Sequence, residues 1–268
     1  MDGATPSKLQ RARGRIDLHL CGSKIERLYQ SGSARLMLPK TYGEMTEAVM
    51  LNTSGGIAGG DVLDIKVRAQ NCALVATTQT AERLYRSSTA PAQISIDLVA
   101  NSAAKLHWLP QETIIFDGAE AARTIQLDMT ADSRCLLAET VVLGRQAMGE
   151  QIKDCHFTDN WRLYRDGVLF HAESLRLSGR ADEILAAPAA GNGARLLSTI
   201  FYAGRDTEHI ASTLVPVIGA CLSSCAASYW EDKLVIRLVS PHAPSARTDI
   251  NNILSALRRQ PMPRVWQI

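Results

Sequence analysis

One period dominates this chain. Through its first two thirds, apolar residues recur at every second position in run after run. Ile16, Leu18 and Leu20 alternate with Arg15, Asp17 and His19, and Ile94, Ile96 and Leu98 repeat the pattern. Val62 to Val67 and Thr124 to Met129 alternate in the same way. A two-residue period puts one set of side chains on one face, which is the signature of half-buried strands. Asp166-Gly167 between the alternating arms Trp161–Arg165 and Val168–Leu177 reads as the turn of a β-hairpin. Glu47 to Leu51 reads as a buried strand, and the mostly apolar run Arg134 to Leu143 as one covered on both faces. So many strands ahead of any long helical pattern predict a mainly β fold.

The last third reads differently. Ile210, Leu214 and Val217 follow the cap candidate Asp206-Thr207 at helical spacing. Ile250, Ile253, Leu254 and Leu257 form one stripe of a second helix, from Pro244 to Arg259, with two arginines at its negative end. Strands are predicted over Leu196–Phe201 and Lys233–Val239. The chain has 268 residues, enough for one large domain with a substantial core. The polar residues 1–12 are expected to be a flexible segment, and 13–268 a single domain.

Residues 51–64 interrupt the alternation with four glycines in six positions: Gly55, Gly56, Gly59 and Gly60, followed at once by Asp61. Paired glycines mark positive φ or close backbone approach, so a tight double turn between strands is expected. A phosphate cradle is excluded, because Asp61 stands where the phosphate-binding loop needs Lys and no glycine is spaced for a dinucleotide loop. Two readings stay open: Asp61 as a ligand or gate on rigid backbone, or as a turn residue bonded to local amides.

A formal charge of +2 gives no general affinity for polyanions, and an aromatic fraction of 5% supplies no stacking platform for single-stranded nucleic acid. The cluster Lys8, Arg11, Arg13 and Arg15 reads as a solvated strand edge or a flexible arm. No apolar run nears the ~20 residues needed to span a bilayer, and residues 1–6 lack a hydrophobic signal core, so a cytoplasmic protein with no membrane or nucleic-acid partner is expected. The six scattered cysteines fit buried thiols better than disulfides, and Cys221-x-x-x-Cys225 lacks the second pair or the histidines of a structural zinc site. No nucleophile elbow is present. Glu112, Asp117, Glu139, Glu150 and Glu173 lie in or beside apolar strands, where a carboxylate is costly unless paired or hydrated. Either they form internal salt bridges, with Arg134, Arg145 and Arg176 as nearby candidates, or they line a wet passage that binds divalent cations transiently.

Six motifs then occur in order: the 51–61 run; Thr77-Thr-Gln-Thr-Ala-Glu-Arg-Leu-Tyr-Arg-Ser87; Trp108-Leu-Pro-Gln-Glu-Thr-Ile-Ile-Phe-Asp-Gly118; Val142-Leu-Gly-Arg-Gln-Ala-Met-Gly-Glu150; Glu173-Ser-Leu-Arg-Leu177; and Pro263-Arg-Val-Trp266. Together they resemble the UreD family of urease accessory proteins, called UreH in some organisms, from about residue 13 to the end. The resemblance implies a helix-like stack of strands with a few helices, and no catalytic activity. It implies binding to apo-urease and to UreF, which recruits the GTPase UreG, so that nickel reaches the dinuclear urease site with its carbamylated lysine. It also implies a water-filled tunnel that conducts nickel, with Asp61, Glu139 and Glu173 as tunnel-side acids and no tightly bound cofactor. Thr78, Gln79, Glu112 and Asp117 fall in matching motifs without an assigned role. The chain has no histidine-rich tail, so bulk nickel storage is not expected. Its two C-terminal helices either pack internally or form part of a partner surface. Two other readings stand beside this one: a β-rich hydrolase or lyase with Asp61 and Glu173 as an acid pair, and a pure scaffold whose acids are structural.

Overall fold

A computed structural model describes residues 10–41, 43–88 and 90–267. Part of the segment expected to be flexible, residues 1–9, lies outside these. The first two strands, β1 (Arg13–Cys21) and β2 (Lys24–Gly32), pair as a hairpin, and β3 (Ala34–Met37) leads into β4 (Thr46–Asn52). From there the chain swings back and forth between two sheets. β5 (Val62–Gln70), β8 (Ala92–Asn101), β11 (Ala119–Met129) and β13 (Cys155–Arg165) enter one sheet. β6 (Ala73–Thr78), β9 (Lys105–Leu109) and β12 (Arg134–Leu143) enter the other, with the short strands β7 (Glu82–Leu84) and β10 (Thr113–Ile115) beside them. Neighbours within this run are parallel in both sheets. The backbone therefore coils, each turn adding one rung to each sheet, as the stacked, helix-like reading expects.

Coiling puts like residues in register. Ile16, Ile65, Ile96 and Ile125 face one another on successive rungs, each at most 5% exposed. Burying one such side chain stabilises the fold by about 1.5–3 kcal/mol. The alternation in the sequence is thus the ladder of the inter-sheet core.

The coil ends at the predicted hairpin. β14 (Val168–Ser178) turns back antiparallel on β13 through Asp166 and Gly167, both at positive φ. A short helix, α1 (Ala181–Ala186), precedes β15 (Leu196–Ala203). Then α2 (Thr207–Gly219), β16 (Ser224–Trp230), β17 (Lys233–Ser240) and α3 (Ala243–Arg258) close the chain. β15, β17 and β16 extend the second sheet, and α2 and α3 cover its outer face. β12 is consequently buried on both faces: Leu137, Val141 and Leu143 meet the inter-sheet core, while Leu136, Ala138 and Val142 meet the helix-side core.

Two terminal details differ from the sequence reading. Asp206 occupies the N-cap position of α2 as expected, but its side chain makes no cap bond; its Oδ1 accepts the Tyr202 hydroxyl at 2.7 Å, and the Thr207 hydroxyl bonds Gly204. Arg258 does not serve the end of α3 from the surface. It turns inward, 3% exposed, because the tail folds back and offers the Pro261 carbonyl at 3.0 Å. Arg259 takes the left-handed cap position. The strands β2 and β16 and the helix α1 were not visible in the sequence. β2 is exposed on both faces almost throughout, so no apolar alternation marks it.

Candidate functional site

The inward-facing ladders are aliphatic in the early rungs and become charged in the late ones. One column runs from Leu63 to Ile94, then Arg123, Asp159 and Leu175. In the next, Ile125 is followed by Trp161 and Glu173. From the facing sheet, β12 sends Glu139 towards them.

These residues form one cluster. The Arg123 guanidinium donates from NH2 to Asp159 Oδ2 at 2.6 Å, and its NH1 lies 2.5 Å from Glu139 Oε2. NH1 also donates to Thr113 Oγ1 at 3.0 Å, and Trp108 Nε1 donates to Glu139 Oε1 at 2.8 Å. Arg123, Glu139 and Asp159 are each at most 4% exposed. Burial works against the charge on Arg123, but the two carboxylates overcome it and hold the guanidinium charged. Burial pushes the Glu139 carboxyl above its usual range, against the pull of Arg123. Asp159 Oδ1 and Arg123 Nε have no hydrogen-bond partner.

A cavity of about 180 Å³ adjoins the cluster, lined by Glu139, Asp159, Trp161, Glu173, Ser198 and Arg237 among others. Glu173 pairs with Arg237 NH2 through Oε2. The structure therefore brings Glu139 and Glu173 to one cavity. Asp61 is not among its lining residues. Asp61 Oδ1 accepts the Ala12 amide and Oδ2 the Ala58 amide, both at 2.8 Å, so its carboxylate ties the start of β1 to the glycine turn. Gly56 and Gly59 are needed there for close approach. A Cβ on Gly56 would meet the Tyr85 ring at 2.3 Å, and one on Gly59 the Ser87 hydroxyl at 1.9 Å.

The unassigned motif residues act as cross-links. Thr78 Oγ1 accepts the Gln111 amide at 2.9 Å, and the Gln111 side chain donates to the Gln79 and Val265 carbonyls. Glu112 pairs with Arg247 at 3.2 Å. Asp117 pairs with Arg86 at 2.6 Å and accepts the amides of Lys153 and Asp154. Of the arginines suggested as partners for the strand acids, Arg145 pairs with Glu150 at 2.8 Å, while Arg134 pairs with Asp206 at 3.5 Å.

Arg123 and Asp159 were missed in the sequence, although a signal exists. Each occupies the apolar phase of a strictly alternating strand: Ala119, Ala121, Arg123, Ile125 and Cys155, Phe157, Asp159, Trp161. A charge in that phase needs a partner in the core. Among the described residues, no group of three or more His, Cys, Asp or Glu side chains is placed to hold a metal ion. No helix is long and apolar enough to cross a membrane.

Residues 10–267 match the family described as UreD urease accessory protein. The urease accessory protein UreD of Jannaschia sp. (strain CCS1) is 39% identical over 268 residues, covering 100% of both chains. That of Agrobacterium fabrum (strain C58 / ATCC 33970) is 38% identical, covering 100% of this chain and 95% of its own. That of Paracoccus denitrificans (strain Pd 1222) is 39% identical, covering 100% and 96%. A chain matched over its whole length by such relatives is an accessory protein and not an enzyme. The chain belongs to the UreD urease accessory protein family.

Proposed function

We propose that this chain is the scaffold on which apo-urease and the UreF–UreG proteins assemble for nickel insertion, and that nickel travels past Glu139 and Glu173. The observation that carries the scaffold reading is the family match over nearly the whole chain. The acid-lined cavity supports the nickel path, because carboxylates hold a divalent cation without a fixed cage. Asp61 enters this proposal as the residue that fixes the glycine turn, since amides occupy both of its oxygens. Asp61 does not border the cavity that Glu173 lines, which weighs against an Asp61/Glu173 acid pair.

A tagged chain is expected to capture apo-urease from cells, with UreF and UreG joining when they are expressed. A folded chain that captures none of them overturns the scaffold role. The pairing of Glu139 with Arg123 and of Glu173 with Arg237 favours a second reading, in which these acids are structural only. Glu173→Gln separates the two. On the path reading it keeps the partners but lowers nickel content and activity of urease several-fold. On the structural reading it lowers the thermal midpoint and leaves nickel loading intact.

A further inference from the structure

A cavity of about 400 Å³ lies away from the acid cluster, on the helix side of the second sheet, between the segment joining β3 to β4 and the tail after α3. Met45, Val75 and Met262, all from the helix-side core, give it an apolar wall. Three polar side chains line it with buried atoms that have no hydrogen-bond partner: Arg258 through Nε, Gln260 through Nε2 and Glu47 through Oε2. A buried donor or acceptor left unpaired is costly, so three on one cavity call for a common partner. Two are donors and one is an acceptor.

Arg258 adds a charge to this count. It is 3% exposed, and among the described residues it has no ion-pair partner. Its NH1 faces His107 and its NH2 donates to the Pro261 carbonyl, neither of which is negative. Burial pushes its pKa down to about 10, against the opposing pull of Glu47, so it stays charged at neutral pH. A buried charge is unfavourable without a counter-ion. Lys40 and Arg264 also line the cavity, so three cations stand there against the single acid Glu47.

We propose that this cavity binds hydrogen phosphate, with Arg258 and Gln260 donating to its oxygens and its own O–H donating to Glu47. Charge and proton count select the same ion. Three positive charges less one negative leave a net charge of +2, which the dianion balances. Glu47 then decides between oxyanions. Hydrogen phosphate brings one proton for Oε2, whereas sulfate, of equal charge and similar shape, brings none and meets the carboxylate directly. A phosphate ester has lost that proton as well, so the free ion is the ligand. Bound there, it joins β4 to the tail that carries Pro263 to Trp266.

The test is a calorimetric titration of the full-length protein with phosphate, sulfate and glycerol phosphate at matched ionic strength. It is run at pH ~8, where a phosphate ester, with a second pKa of about 6, carries no proton. Phosphate is expected to bind at one site. Sulfate and glycerol phosphate are expected to bind roughly tenfold more weakly, the cost of leaving one buried acceptor unpaired. Glu47→Gln, whose amide donates as well as accepts, is expected to lose the preference for phosphate over sulfate. Arg258→Gln is expected to lose phosphate binding. Circular dichroism checks the fold of both variants, and Glu47 is only half-buried, so the selectivity test does not depend on Arg258→Gln folding. No saturable phosphate binding, or equal affinity for phosphate and sulfate in the unaltered protein, overturns the proposal. So does an undiminished preference in folded Glu47→Gln, or undiminished phosphate binding by folded Arg258→Gln.

Discussion

At the scale of single residues, burial decides what a polar side chain does here. His107 is 1% exposed on β9, with Arg258 NH1 3.3 Å from its Nδ1 and Lys105 nearby. Burial first, and the two cations next, hold its pKa well below the usual value, so the folded protein keeps it neutral. The unfolded chain binds a proton at this residue near pH ~6.5 and the folded chain does not, so acid favours unfolding. The contribution is fully present above pH ~6.5 and is lost as the pH falls from there towards the depressed folded value. Between pH 7.5 and 5.5 the loss is on the order of 1 kcal/mol from this group alone. His107→Gln keeps an acceptor for Arg258 but does not titrate. Urea denaturation at the two pH values is expected to show a smaller acid loss for the variant by about that amount. An equal loss in both proteins would assign the acid sensitivity elsewhere.

At the scale of elements, β12 is the strand on which both cores depend. Leu136 and Leu137 are adjacent in sequence and face opposite cores. Each change to Ala is expected to cost about 2–5 kcal/mol. Both are expected to lower one common transition, seen alike by helical circular dichroism and by tryptophan fluorescence. Two separated transitions in Leu136→Ala would mean that the helix layer unfolds by itself. The double coverage of β12 was legible because its run from Cys135 to Leu143 has almost no polar phase. Elements with one buried face were equally legible, from β1 to the stripe on α3. β2 and β16 were not, because an edge strand with exposed faces carries no alternation to read. The site was half legible. Glu139 and Glu173 stood out as acids in apolar runs, whereas Arg123 and Asp159 became meaningful only when the coil set their strands side by side. Asp61 accepts the local Ala58 amide, a bond the sequence left open as one reading, and also that of Ala12, which only the folded chain brings near.

At the scale of the whole molecule, the fold is a coil with exposed ends. β2 and β14 are the outer strands of one sheet, and β16 and β3 those of the other. Ile25, Leu28 and Tyr29 on β2 are each about 44–45% exposed, so this free edge carries apolar side chains of the kind that favour association. The interior, by contrast, is a set of ladders in which each position has a fixed neighbour one turn earlier and one turn later. That arrangement turns a chemical rule into a genealogical one. A lineage that loses the acid at the position of Asp159 leaves the buried guanidinium of Arg123 with Glu139 alone, and one that loses the guanidinium strands two acids. Across descendants of a common ancestor, these two sites, 36 residues apart in the chain and adjacent in register, should change hands together or not at all.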